Sequence, residues 1–227
     1  MDKVLFIILL AGLFSGRVSA QQACSCNTST DIENLLEDRV MAVAYSQKMK
    51  SPEIQFSSEW KVGDIYLVNG ETIHSKYLRF NGFSDQLFWL RKNDYQISII
   101  ERSTVKGFSL TDTILQTTQV FRRSNFIQHD LAGFPDIFLQ VLVEGEISLF
   151  LAHRVDYLRN TDEYSSSPQY YVIVNGQIKA ISLRRRALVR LLGEQKSKMR
   201  SIIRQFDLDL STERGMVAAI LAFNKKE

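Results

Sequence analysis

Few groups in this chain can move a proton, and none of them is spaced for it. The 3 histidines, His74, His129 and His153, fall on different stretches of the pattern with no paired spacing. His129 and Asp130 are adjacent, but neighbours on an extended strand point to opposite faces, so adjacency makes no dyad. Each histidine is read as structural. Acid–base chemistry would have to come from carboxylates that the fold brings together, such as Asp85, Asp94 and Asp136, and two of them about 5–10 Å apart in a cleft would mark a hydrolase. There is no Gly-x-Ser-x-Gly elbow, no phosphate-binding glycine loop and no His-Glu-x-x-His helix. No catalytic, cofactor-binding or metal residue is assigned, and no cofactor is called for.

The 2 cysteines, Cys24 and Cys26, lie near the amino terminus. They can close a small strained ring, bridge to another chain or stay free, but they cannot staple the body of a fold. A zinc site would need further ligands that no nearby histidine or distant cysteine supplies. Stability must therefore come from packing.

Two features suit binding better than catalysis. From Arg184 to Arg204 the chain carries Arg184, Arg185, Arg186, Arg190, Lys196, Lys198, Arg200 and Arg204 against Glu194 alone, a local charge of +7. Arg186 and Arg190, like Arg200 and Arg204, are four apart and share a helix face. Such a face either docks on an anionic surface or is solvated beside its leucine and isoleucine stripes. Aromatic residues Trp60, Tyr66, Tyr77, Phe80, Phe83, Phe88 and Trp89 crowd the first hairpins. Bulk on both faces of the strand at Phe88 and Trp89 leaves one face open to a partner, or a two-sided sandwich covers both. Trp60 and Trp89, with Arg186, Arg190, Arg200 and Arg204, are the candidate contact residues.

The elements that would position these residues follow from period and punctuation. Met1 to Ala20 has Lys3, an apolar run from Val4 to Phe14, and small residues before Gln21. These are the parts of a cleavable export signal, cut between Ala20 and Gln21. The run is about half the roughly twenty residues that span a bilayer, and no later stretch is long and apolar enough. A lipid on Cys24 is the alternative, although Gln21, Gln22 and Ala23 do not suit the lipoprotein peptidase. Loss of Lys3, Arg17 and Asp2 with the leader takes the net charge from +3 to +2, so the chain outside the basic stretch is about −5.

Residues 21–30 form a short segment, and Thr30 with Glu33 then opens a helix over about 31–49. The period changes to two from Ile65 onward, with Asn69-Gly70, Asn81-Gly82, Asn93-Asp94, Glu144-Gly145 and Asn175-Gly176 as turns. Strands are expected near 65–68, 77–80, 87–90, 96–100, 105–110, 118–122, 138–143, 147–153, 170–174 and 177–182, with a loop over 161–168. Helical spacing returns in three stripes at Ala187–Leu192, Met199–Phe206 and Met216–Leu221, the last capped by Ser211 or Thr212. The expected fold is α+β: an antiparallel meander, sandwich-like or roll-like, in one domain over 31–183. The helix over about 31–49 opens that domain, and two to three helices over 184–227 pack on it.

The run Trp60-Lys61-Val62-Gly63, the strand to Asn69-Gly70, and Tyr77-Leu78-Arg79-Phe80-Asn81 with Asp85 beyond resemble uncharacterised secreted proteins of Bacteroidetes. So do Phe138 to Leu151, Tyr157, Arg159-Asn160, and the ending from Leu188 through Leu192-Gly193 to Asp207-Leu208-Asp209-Leu210 and Phe223-Asn224. The resemblance implies a Gram-negative envelope location and a β-rich body with a helical end, and no activity. Asp112-Thr113-Ile114 matches a pattern for O-glycosylation of exported proteins in some of those bacteria, making Thr113 a candidate modified residue. The reading is an exported, periplasmic or extracellular, noncatalytic domain that binds a protein, a glycan or an anionic envelope surface. Export argues against nucleic acid. The alternative is a hydrolase of envelope or extracellular polymer.

Overall fold

The computed structural model describes residues 43–44, 59–92, 95–127, 133–161 and 163–225. The export signal, Cys24, Cys26, the Asn93-Asp94 turn and His129 lie outside the described residues. Of the helix expected over 31–49, only Val43–Ala44 is described, and there the chain is a two-residue strand, β1, paired with Ser98 and Ile99.

The other strands are β2 (Lys61–Leu67), β3 (Thr72–Asn81), β4 (Gln86–Leu90), β5 (Ile97–Ile100), β6 (Val105–Asp112), β7 (Thr117–Arg123), β8 (Phe138–Val143), β9 (Ile147–Ala152), β10 (Val155–Leu158), β11 (Glu163–Ser166), β12 (Gln169–Val174) and β13 (Gln177–Ile181). Helices α1 (Arg185–Leu191), α2 (Lys196–Gln205) and α3 (Glu213–Asn224) follow. Eleven of these strands form one antiparallel sheet in the order β1-β5-β4-β3-β2-β6-β7-β8-β9-β12-β13, while β10 and β11 form a separate hairpin whose second strand lies within the stretch expected as loop. The chain meanders outward from β2 to β5, returns to lay β6 on the free side of β2, and meanders the other way. The protein is α+β with a sheet-rich body and a helical end.

The sheet coils on itself. Strands about 4.8 Å apart in a flat sheet would hold β3 and β8 about 19 Å apart. Yet the rings of Phe80 on β3 and Phe138 on β8 lie 6.2 Å apart, with Phe108 and Phe121 stacked at 4.5 Å beside them. These four phenylalanines centre a core that includes Ile65, Leu78, Trp89 and Leu110. Glycine marks the closest approaches. A Cβ on Gly63 would sit 1.9 Å from the Ser109 carbonyl oxygen, and one on Gly82 2.3 Å from that of His153.

The second half of the sheet is covered on both faces. Alternation along β9 sends Ile147 and Leu149 to a core with Leu188, Met199, Ile203, Met216 and Ile220 from the helices. Phe150 and Ala152 go to the opposite face, under Ile127, Phe134 and Ile137. All six residues of β9 are buried. The third helix is capped by Thr212, whose hydroxyl accepts from the Gly215 N–H. At its other end Asn224 donates to the Ile147 carbonyl and accepts from the Ile147 N–H, which locks the helix to the β8–β9 turn.

Turn chemistry follows expectation at one Asn-Gly pair and departs from it in an instructive way at another. Asn175 and Gly176 both take positive φ and make the expected two-residue hairpin. At Asn81-Gly82 the loop is instead four residues long, and the Asn81 side chain accepts from the N–H groups of Phe83 and Ser84. The positive φ falls on Asp85. Here the glycine serves the close approach to His153 rather than the turn.

Candidate functional site: a basic groove between two helices

The first two helices form a hairpin whose inner faces are apolar and whose outer faces are basic. Leu188, Val189, Met199, Ile202 and Ile203 are buried. Outside, Arg185, Arg186 and Arg190 of α1 and Lys196, Arg200 and Arg204 of α2 line an open groove of about 750 Å³, together with Val189 and Gly193. All six cationic residues are exposed, and none makes an ion pair among the described residues. A second open groove on the far side of α2 is lined by Ser197, Arg200, Ser201, Arg204 and Gln205, so Arg200 and Arg204 border both. No acidic residue lines either.

Several of these charges work against the helices that carry them. A helix N-terminus carries a positive dipole end, so a cation there costs about 0.3–1 kcal/mol. Arg185 and Arg186 begin α1 and Lys196 begins α2, with no acidic residue in either first turn and no side-chain cap. Lys196, Arg200 and Arg204 also stand at successive four-residue spacings, where like charges repel by about 0.2–0.5 kcal/mol per pair. Local helix stability accounts for Arg190 and Arg204, which stand in the last turns of their helices at the negative end of the dipole, but not for Arg185, Arg186 and Lys196.

The four arginines singled out in the sequence are thus brought together, and the groove adds Arg185 and Lys196. Lys196 could have been found from its spacing to Arg200 and Arg204. Lys198, in the same run, turns away: its ammonium donates to the Phe223 carbonyl oxygen at 3.2 Å and lies 4.6 Å from that ring's centre.

The aromatic candidates fare differently. Trp89 is 1% exposed and its neighbour Phe88 also 1%, so both faces of β4 are covered and Trp89 is a core residue, not a contact residue. The alternation that raised the open-face reading is satisfied by cover on each side. Trp60 is half-buried, with the Arg79 guanidinium stacked 4.5 Å from its ring centre. Thr113 is exposed at the β6–β7 turn. The turn is fixed by Asp112, which accepts from the N–H groups of Ile114 and Leu115 at 3.0 and 2.9 Å and from Lys61 at 2.8 Å. Those bonds hold the Asp112 carboxyl below the usual range, the Leu115 N–H foremost.

Two of the three carboxylates considered for acid–base work, Asp85 and Asp136, are occupied. Asp85 accepts from Arg102 at 2.6 Å and from the Phe138 N–H at 3.1 Å. Burial pushes its carboxyl up to about 6, against the pull of those two donors. Asp136 is gripped by the Arg123 Nε at 2.8 and 2.9 Å, and Arg123 also donates to the Arg102 carbonyl. Arg102 reaches the Asp136 carbonyl at 2.8 Å. The four charges alternate in sign and tie the β3–β4 loop, the 102–104 turn, the end of β7 and the start of β8 into one knot. Asp94 lies outside the described residues. His153 donates or accepts at 2.5 Å with the Gln140 side chain, and burial lowers its pKa to about 4. His74 is exposed, 3.2 Å from Asp64. Among the described residues no group of three or more His, Cys, Asp or Glu is placed to hold a metal ion, and no helix is long and apolar enough to cross a membrane.

No family model matches the chain, and no curated protein or solved structure is significantly similar to it. The likeness to secreted proteins of Bacteroidetes therefore brings no family with it, and function must be argued from the groove.

Proposed function

We propose that this protein is an exported, noncatalytic binding domain whose basic groove takes an anionic partner. One observation carries the reading: six cationic side chains converge on a concave surface with no countercharge, three of them placed against the helix dipoles. Uncompensated charge of one sign raises the local concentration of oppositely charged ligand and speeds its capture. Of the carboxylates considered for a hydrolase, Asp85 and Asp136 are spent on arginines and a backbone amide. Export to the periplasm or beyond rests on the Met1–Ala20 signal. It predicts a mature chain that begins at Gln21 by mass spectrometry.

Salt-gradient elution from phosphocellulose tests the groove. The triple variant Arg190→Ala, Arg200→Ala, Arg204→Ala is expected to elute at much lower salt than the parent. A second triple variant, Arg159→Ala, Lys179→Ala, Arg214→Ala, removes three exposed charges elsewhere and should elute near the parent. Equal losses in the two variants would reduce the groove to ordinary net charge and sink the reading.

A further inference from the structure

Resting on that reading, we infer that the groove's occupant is a linear acidic polysaccharide, a chain of sugars bearing carboxylate or sulfate groups. The composition of the cations is the first ground. Five of the six are arginine, whose planar fork pairs bidentately with an oxoanion in a way that lysine does not.

Spacing is the second. Lys196, Arg200 and Arg204 repeat every four residues, about 6 Å apart and about 12 Å from end to end, and Arg185, Arg186 and Arg190 stand across from them. A single small anion would leave most of this double row unmatched, whereas an extended chain with a charge at each repeat meets it along its length.

The third ground separates a sugar chain from other polyanions. Ser197, Ser201 and Gln205 stand next to Lys196, Arg200 and Arg204 on the exposed side of α2, where they line the second groove, which shares Arg200 and Arg204 with the first, so a chain lying over those two arginines meets both. Hydroxyls and an amide beside guanidinium groups suit a ligand in which neutral hydroxyls alternate with charges. The groove holds no aromatic side chain, and single-stranded nucleic acid is ordinarily held by stacking on such side chains. A bilayer is disfavoured because helices that bind its surface insert apolar residues, and the apolar side of α2 is turned inward and buried. Phe206, exposed just beyond the helix, is followed by Asp207 and Asp209, which an anionic surface would repel.

Fluorescence anisotropy on the full chain lacking its leader tests this with four labelled or competing probes. They are oligogalacturonate, its methyl-esterified neutral form, single-stranded oligonucleotide of matched charge, and phosphatidylglycerol vesicles. Oligogalacturonate is expected to bind, more tightly as it lengthens to span the groove, and the neutral form is expected not to. The double variant Arg200→Ala, Arg204→Ala should weaken binding about tenfold or more. Ser197→Ala with Ser201→Ala should weaken oligogalacturonate binding while leaving retention on phosphocellulose unchanged. Thermal melts confirm that both variants fold. Groove-dependent binding of the oligonucleotide or the vesicles without the uronate chain would overturn the polysaccharide and leave the anion-binding reading standing. Absence of any binding sensitive to Arg200 and Arg204 would overturn both.

Discussion

The two clusters of arginine in this molecule differ in what faces them. Arg102 and Arg123 sit in a knot with Asp85 and Asp136, each cation against a carboxylate and a backbone carbonyl. The six cations of the helical hairpin face one another across open space. In a sequence the first cluster is invisible and the second conspicuous. Conspicuous charge, however, can be merely solvated, and the distinction lies in energetics. Removing a charge from the knot strands its partner, whereas removing one from the middle of the Lys196, Arg200, Arg204 row relieves repulsion. Mutation should therefore separate the two clusters by sign as well as size.

The largest effect belongs to the knot. Arg123→Ala would leave the partly buried Asp136 carboxylate without its bidentate donor, and the carbonyl oxygens of Arg102, Ser103 and Val105 without theirs. Stranding a desolvated charge costs more than the lost bond. We expect about 2–3 kcal/mol of destabilisation in urea unfolding, with elution from phosphocellulose lowered no more than by loss of any one exposed charge. A double-mutant cycle with Asp136→Ala should recover a large part of that loss as coupling energy. Additive losses would mean that the knot is no more than a set of surface pairs.

The knot region also predicts a pH response of opposed signs. His153 has its pKa lowered by burial to about 4 from an ordinary 6.5. Its contribution to stability is therefore present above pH 6.5 and lost as pH falls through 4. Asp85 is raised to about 6, so its contribution is present below its ordinary 3.8 and lost as pH rises through 6. The two partly cancel between these limits. His153→Gln keeps a polar partner for Gln140 but cannot titrate, so the stability difference between parent and variant should shift by about 2–3 kcal/mol between pH 7 and pH 4. A difference that stays flat with pH would show that His153 is charged or solvated in the folded protein.

How far the sequence reveals these regions follows from the range of the interactions. Strand β8 falls where its apolar run predicts, and β12–β13 turn at Asn175-Gly176, because period and turn residues are local signals. The helical stripes are legible for the same reason, and with them Arg186, Arg190, Arg200 and Arg204. The coil of the sheet is not, since it depends on Phe80 meeting Phe138 across 58 positions and on Gly82 meeting His153 across 71. Nothing in the spacing of Asp85, Arg102, Arg123 and Asp136 announces the knot. Trp89 was open to two readings because alternation says which face a side chain takes and not what covers it. Strand β11 reads as loop because it lies in a serine-rich stretch, and β10, with four residues, is too short to show a period, while four residue pairs join the two as a hairpin.

The smallest effect is the most telling for the groove. Arg200 stands four residues from both Lys196 and Arg204, with no acid facing it among the described residues. Its replacement by alanine removes two like-charge pairs from one helix face and substitutes the best helix former, each change worth a few tenths of a kcal/mol at most. We therefore expect Arg200→Ala to raise stability by about 0.3–0.5 kcal/mol, most visibly at low salt, while lowering retention on phosphocellulose. Moderate salt should erase the gain, because screening weakens repulsion between exposed charges. A loss of stability instead would mean that the guanidinium packs or pairs within its own fold, and the groove would then be an ordinary solvated face. Opposite changes in stability and binding from one exposed side chain are the signature of a charge held for something outside the molecule.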